Sequence, residues 1–521
     1  TTLTAESNAG ISSGTGNLTV KANGSVDLQD GVAVATAGSG TITLLASTGD
    51  LTMDPTATVD TVDGNQILNV GNSVDDQLVV GDLTATAANI SLTTTGSVLD
   101  ADDASGSDDT DTDITAQNLR IVAGKGIGLL SGNSLSEPVN ALETDVDLLA
   151  AKATGSDGIH IVEADGLTIG DTGDISTAEV GNDGTTSTRT ASSLSDLVTT
   201  ATNGANGSIV LQLTNGDLTL QDGTAPDNSS AVSANGSGNV LLETLGANTT
   251  LTAEDDADFS SGTGNLTLKA NGSIDLETNV DGSTSGAGTL TLLAITGSLT
   301  MDPTATLQTA SGNQILEAGD GVDDQLVVGD LTATAANISL TTTGSVLDAD
   351  DASGGDDTDT DITAQNLRIS AGKGIGLLSG NSLSGPVNAL ETDVDLLAAE
   401  VTGSDGIHIV EADGLTIGDT GDISTAEVGN DGTTSTRTAP SLSDLVTTAT
   451  NGADGSIVLQ LTNGDLTLQD GTAPDNSSAV SANGSGNVLL ETLGANTTLT
   501  AESNAGISSG TGNLTVKANG S

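Results

Sequence analysis

The stretch LDADDASGSDDTDTDITAQ, residues 99–117, carries seven aspartates within fourteen residues: Asp100, Asp102, Asp103, Asp108, Asp109, Asp111 and Asp113. It returns at 347–365 as LDADDASGGDDTDTDITAQ, with Asp348, Asp350, Asp351, Asp356, Asp357, Asp359 and Asp361. So many carboxylates in one loop repel one another unless water or a cation lies between them. Ca²⁺ accepts carboxylate and carbonyl oxygens in flexible geometry, so it is the cation expected if the run is bridged. DTDTD at 109–113 matches half of an EF-hand loop. Ile114, however, stands where that loop needs Gly, and Arg120 stands where it needs the bidentate Glu. A G-G-x-G-x-D calcium-binding array is absent as well. The spacing leaves two outcomes open, a calcium site and a solvated acidic loop. No other cofactor is called for.

Two histidines offer acid–base chemistry, His160 in GIHIVEAD and its counterpart His408. His160 alternates with Ile159 and Ile161, so if those point inward it points to solvent. Nothing in the sequence sets a nucleophile or carboxylate partner beside it. With no Trp, no Tyr and 10 basic residues, the chain has little with which to stack or orient a sugar. No enzyme is expected.

Composition narrows the partners. The formal net charge is −61, from 71 acidic and 10 basic residues. Nucleic acid, which requires a basic surface, is excluded as a partner, and an anionic membrane surface is disfavoured. No apolar run reaches the ~18–20 residues of a membrane span. Asn17-Leu18-Thr19 and Asn89-Ile90-Ser91 are glycosylation sequons, though Asn and Thr equally suit tight turns. The only aromatic residue is Phe259, so the core must be built from Val, Ile, Leu and Ala. A thin aliphatic core suits a fold that repeats along an axis.

The elements that carry these residues repeat at two scales. TTLTAE occurs at 1–6, 249–254 and 497–502, an offset of 248 residues both times. Copies 1–248 and 249–496 align without a gap and differ at about 32 positions, of which about 25 lie in the first 73. Residues 497–521 begin a third copy, identical to 1–25. These are treated as two repeat units and the start of a third, in one solenoid with no true domain break. Within each copy, short runs such as GNLTVKANGSVDL (16–28), GTITLLASTGDLTM (40–53), QNLRIVAGKGIGL (117–129) and GSIVLQLTNGDLTL (207–220) alternate apolar and polar residues around Gly and Asn turns. Alternation of this kind is the strand signature, and Gly and Asn supply turns with positive φ. No stretch shows a helical period. Leu18, Val20, Ile42, Leu44, Leu119, Ile121, Ile209 and Leu211 should be buried, with Thr19, Thr43 and Arg120 facing out alongside His160. Runs that begin near positions 18, 42, 67, 90, 119 and 146 imply an all-β parallel β-helix, a β-solenoid of roughly ten coils per repeat unit. Positions 170–206 break the alternation and are read as a coil with a long outward loop.

Runs such as GNLTLKANGSIDL (264–276) and ANISLTTTGSVLD (88–100) resemble the repeats of filamentous haemagglutinin-like giant bacterial exoproteins and adhesins. The resemblance extends over nearly the whole chain. It implies a right-handed β-helix, secretion to the bacterial cell surface, and an extracellular location. A structural stalk or filament is the first functional expectation, and an adhesin whose outer face binds host or partner-cell ligands is the alternative. The expected partners are adjacent repeats of the same chain and identical chains placed end-to-end or side-by-side.

Overall fold

In the computed structural model, residues 1–521 are described apart from 102–110, 132–138, 202–206, 224–229, 322, 351–358, 379–387, 450–454 and 472–477. The fold is all-β, with parallel strands stacked into a solenoid of about 17 turns. Among the described residues there is no α-helix, and so none long and apolar enough to cross a membrane. The chain gathers into two compact units: Thr1–Asn265 with Val428–Thr434, and Leu266–Glu427 with Ser435–Ser521.

A turn of the first unit has three short strands, exemplified by Leu18–Ala22, Val26–Leu28 and Ala33–Thr36. The following turn repeats them as Ile42–Ala46, Leu51–Met53 and Thr58–Thr61, in the register Leu18↔Ile42, Val26↔Leu51 and Val34↔Val59. Alternation decides what goes inside: Leu18, Val20, Ile42, Leu44, Leu119, Ile121, Ile209 and Leu211 are all buried, as expected. Each such side chain removed from water stabilises the fold by about 1.5–3 kcal/mol. Phe259, also fully buried, takes the position that Ile11 holds in the first copy.

The corners are as repetitive as the strands. A Cβ on Gly64 would sit 1.9 Å from the carbonyl oxygen of Gly40 one turn below, so only glycine fits there. Asparagine side chains link successive corners. Asn17 Oδ1 accepts the Thr41 N–H at 3.1 Å, Asn65 Oδ1 accepts the Asn89 N–H at 3.1 Å, and Asn239 Oδ1 accepts the Asn265 N–H at 2.9 Å.

The turns are wider than the run spacing suggested. One line of pairing passes from Leu3 to Val26, Leu51, Leu78, Val98, Ile127, Ile159, Ile209 and Val240, eight steps in place of roughly ten coils per copy. Extra sequence enters at three of these steps: the aspartate run before Ile127, positions 128–141 before Ile159, and positions 170–206 before Ile209. Strand roles also change along the copy. Gly158–Glu163 stacks on two lines at once (Ile159↔Ile127 and Thr144↔Glu163), while Leu142–Ala153 divides between Leu167–Ile169 and Leu197–Thr199. Pairing crosses the repeat junction at 248/249 inside the first unit, with Leu218↔Leu251.

The segment after Ile169 is not a coil with an outward loop. Ile175–Val180 and Thr186–Ala191 form an antiparallel hairpin that folds back over the strands Leu18–Ala22, Ile42–Ala46 and Gln66–Val70. Ala178 and Val180 donate their N–H groups to Thr41 Oγ1 (2.9 Å) and Thr19 Oγ1 (2.8 Å), and Asn65 Nδ2 donates to the Ser176 carbonyl at 3.0 Å. The hairpin explains one departure from the expected outward set. Thr43 does face out, but it is fully buried beneath Thr177. Thr19 and Arg120 are partly exposed.

A candidate metal centre of buried carboxylates

Strand register places the two ends of the aspartate run together. Asp100 closes the strand Val98–Asp100, and Asp113 directly precedes Ile114–Ala123. Both are buried, whereas Asp111 is exposed. Asp102, Asp103, Asp108 and Asp109 lie outside the described residues. In the second unit Asp348 and Asp361 are buried, Asp350 is half-buried and Asp359 is exposed, while Asp351, Asp356 and Asp357 lie outside the described residues.

A third carboxylate, not anticipated from sequence, enters from the following turn. Glu143 is buried; its N–H donates to Asp113 Oδ2 at 3.0 Å, and its carbonyl accepts the Asp113 N–H at 3.1 Å. Asp100, Asp113 and Glu143 each offer an oxygen within 4.8 Å of the other two, as do Asp348, Asp361 and Glu391. Burial, reinforced by the neighbouring Asp100 charge, pushes the Asp113 carboxyl far above the ordinary range. Asp361 is raised likewise, by burial first and then by Asp348. Such a cluster holds either shared protons or a cation. Oxygens that all bind one Ca²⁺ at about 2.4 Å lie at most about 4.8 Å apart, so the spacing fits that ion. Asn140 Nδ2 and Asn388 Nδ2 sit 3.5 Å and 3.4 Å from Asp100 Oδ2 and Asp348 Oδ2, polar contacts that hold these aspartates in place.

Glu163 and Glu411 form a different kind of site. Glu163 is fully buried and satisfied by protein donors: the Thr144 hydroxyl at 2.6 Å, the Val146 N–H at 3.1 Å and the Ala164 N–H at 3.1 Å. Burial outweighs these hydrogen bonds and pushes its carboxyl up to about 7. Glu411, held by Thr392 and Val394, is pushed up to about 8 for the same reason. Exposed Asp145 and Asp165 flank Glu163. This arrangement ties the segment 144–146 to the turn after Glu163 and leaves the buried oxygens already engaged.

His160 departs from its expected place at the surface. Ile159 and Ile161 are buried as the register requires, but His160 is buried too, its Nδ1 3.0 Å from the Leu129 carbonyl oxygen. A carbonyl only accepts, so Nδ1 carries the proton. The bridged pair Leu129↔Asn140 covers this ring from the outer side of the strand. His408 repeats the contact with the Leu377 and Asn388 carbonyls at 3.2 and 3.1 Å.

Between the first hairpin and the turns beneath it lies a polar groove of about 480 Å³, lined by Asn69, Thr93, Arg120, Glu179, Arg189 and neighbouring residues. Arg120 donates to the Ser192 carbonyl at 2.7 Å, and Arg189 pairs with Glu179 at 3.1 Å. In the second copy Glu317 replaces Asn69 and pairs with Arg437, which also binds Glu427.

No family model matches the chain, and neither a curated protein nor a solved structure shows significant similarity to it. Fold and site therefore define a class, a parallel β-solenoid repeat protein with a buried carboxylate triad in each copy.

Proposed function

We propose that this chain is the structural repeat region of a giant secreted cell-surface protein, akin to the filamentous haemagglutinin-like exoproteins, serving as a rigid stalk or extracellular filament. The observation that carries this reading is recurrence. The triad, the buried Glu163/Glu411 anchor, the buried histidine and the folded-back hairpin all appear at equivalent positions of both copies. A catalytic or receptor site needs to be built once, whereas repetition of every detail extends length. The triads act as calcium staples that neutralise buried charge between turns. Small-angle scattering of chains with one, two and three copies tests the reading. The maximum dimension should rise in proportion to copy number, and a compact particle would refute the stalk. Surface labelling of intact producing cells tests export.

The second reading, an adhesin, draws on the polar groove beneath the hairpin. It lacks the aromatic residues that dominate binding hot spots. Binding of the chain to glycan or cell-surface arrays, abolished by Arg189→Ala, would favour it.

A further inference from the structure

The first compact unit includes one segment from far along the sequence, Val428–Thr434. This is the tip of the hairpin formed by Ile423–Val428 and Thr434–Ala439. Within that unit Val428 is buried in an apolar cluster with Leu130, Val210 and Leu241. The Asp431 carbonyl accepts the Ser131 N–H at 3.1 Å, and the Gly432 carbonyl accepts Asn239 Nδ2 at 3.0 Å. The tip is thus held by a buried valine and two hydrogen bonds to its backbone, a contact specific in shape and chemistry.

Both halves of this contact occur a second time. The tip sequence EVGNDGTT at 427–434 is repeated without change at 179–186. There Val180 is only half-buried and Gly181–Thr186 are exposed. The receiving residues Val210, Leu241 and Asn239 recur as Val458, Leu489 and Asn487. Val210 and Leu241 are buried where the tip covers them, whereas Val458 and Leu489 are partly open and Asn487 is exposed. The chain therefore displays an uncovered tip and an uncovered receiving surface, each a copy of a partner already seen seated.

We propose that Val458, Leu489 and Asn487 receive the hairpin tip Val180–Thr186 of a second copy of this chain, in the contact that Val428–Thr434 makes with Val210, Leu241 and Asn239. Donor and receiver are different surfaces, so the contact is heterologous, and chains joined by it grow in open series instead of closing as pairs. A single turn on a strand face is a small interface, so free chains associate weakly. Within a covalent array the next tip is tethered, and its effective concentration reaches the millimolar range. The inference stands apart from export and load-bearing, since it concerns only how copies recognise one another.

Sedimentation equilibrium of the full chain, up to about 1 mM and in enough salt to screen its charge, tests the proposal. The wild-type average mass should rise with concentration. Val180→Asp, which spoils the tip, and Leu489→Asp, which spoils the receiver, should each weaken association at least tenfold. Mixed one to one, the two variants should form heterodimers and nothing longer, because only one intact tip and one intact receiver remain. The milder Val180→Ser and Asn487→Ala, with circular dichroism matching wild type, should shift the equilibrium in the same direction. A wild-type chain that stays monomeric throughout, or association indifferent to all four substitutions, would overturn the proposal.

Discussion

The hydroxyls of Thr43 and Thr177 lie 2.8 Å apart although 134 residues separate them, and Thr291 and Thr425 repeat the pair at 2.8 Å. Thr43 and Thr291 sit on a strand face that alternation assigns to solvent, and each has lost its water to the hairpin that carries Thr177 or Thr425. Removing one partner leaves the other buried and unsatisfied, which costs about 1–3 kcal/mol, whereas removing both is nearly neutral. Thr177→Val and Thr425→Val together should therefore destabilise the chain by that order per copy. Adding Thr43→Val and Thr291→Val should recover most of the loss. A double-mutant cycle in urea, followed by circular dichroism because the chain has no Trp or Tyr, reads the coupling.

Ca²⁺ should raise the midpoint of thermal unfolding above that in NaCl of equal ionic strength, because an ion bound only by the folded chain adds stability by mass action. Chelator should remove the gain, as should Asp113→Asn combined with Asp361→Asn. Identical melting in the two salts would leave the triads as proton-sharing clusters.

The Glu163 and Glu411 carboxyls titrate higher in the folded chain than their ordinary value of 4.5, at about 7 and about 8. The folded state therefore holds more protons between those limits. The stability these two groups contribute is fully present below pH 4.5 and is lost as the pH rises through 7 to 8. For Glu163 the loss is about 3–4 kcal/mol, taken at about 1.4 kcal/mol per unit. Glu163→Gln with Glu411→Gln should flatten the decline in stability between pH 5 and 8. An unchanged slope would show that other acids set it.

Gly64→Ala and Gly312→Ala should each cost more than about 2 kcal/mol, the range of overpacked sites, because a Cβ at either position meets a carbonyl oxygen 1.9 Å away. Gly10→Ala, whose Cβ would have nothing within 4 Å, should stay within about 0.5 kcal/mol of wild type. Denaturation midpoints of the three variants provide the comparison.

Alternation made the inward set from Leu18 to Leu211 readable, because a period of two assigns faces regardless of what lies outside. It could not show what covers the outer face. Thr43 and His160 alternate with the inward residues, yet neither reaches solvent: a hairpin of Ser, Thr and Arg buries the first and the Leu129↔Asn140 bridge buries the second. Neither cover has apolar spacing to announce it. Two members of the triad were visible in the aspartate run. Glu143 was missed because it lies a full turn past Asp113, and only strand register brings them together. The coil spacing held a signal all the same: an acidic residue one turn beyond Asp113, between Leu142 and Val146 in a strand-like run. Run spacing alone implies too many coils because the turns before Ile159 and Ile209 carry insertions that lengthen them.

The asparagine corners join each turn to the next along the sequence. In a chain that folds from its N-terminal end, Asn65 Oδ1 would be in place before Asn89 arrives, and Asn239 Oδ1 before Asn265. Each completed corner is therefore a template that dictates where the next one is set down. A chain of this kind can close like a zipper, with every tooth positioning its successor, and needs no search for distant partners except where a hairpin folds back to lock the teeth already engaged.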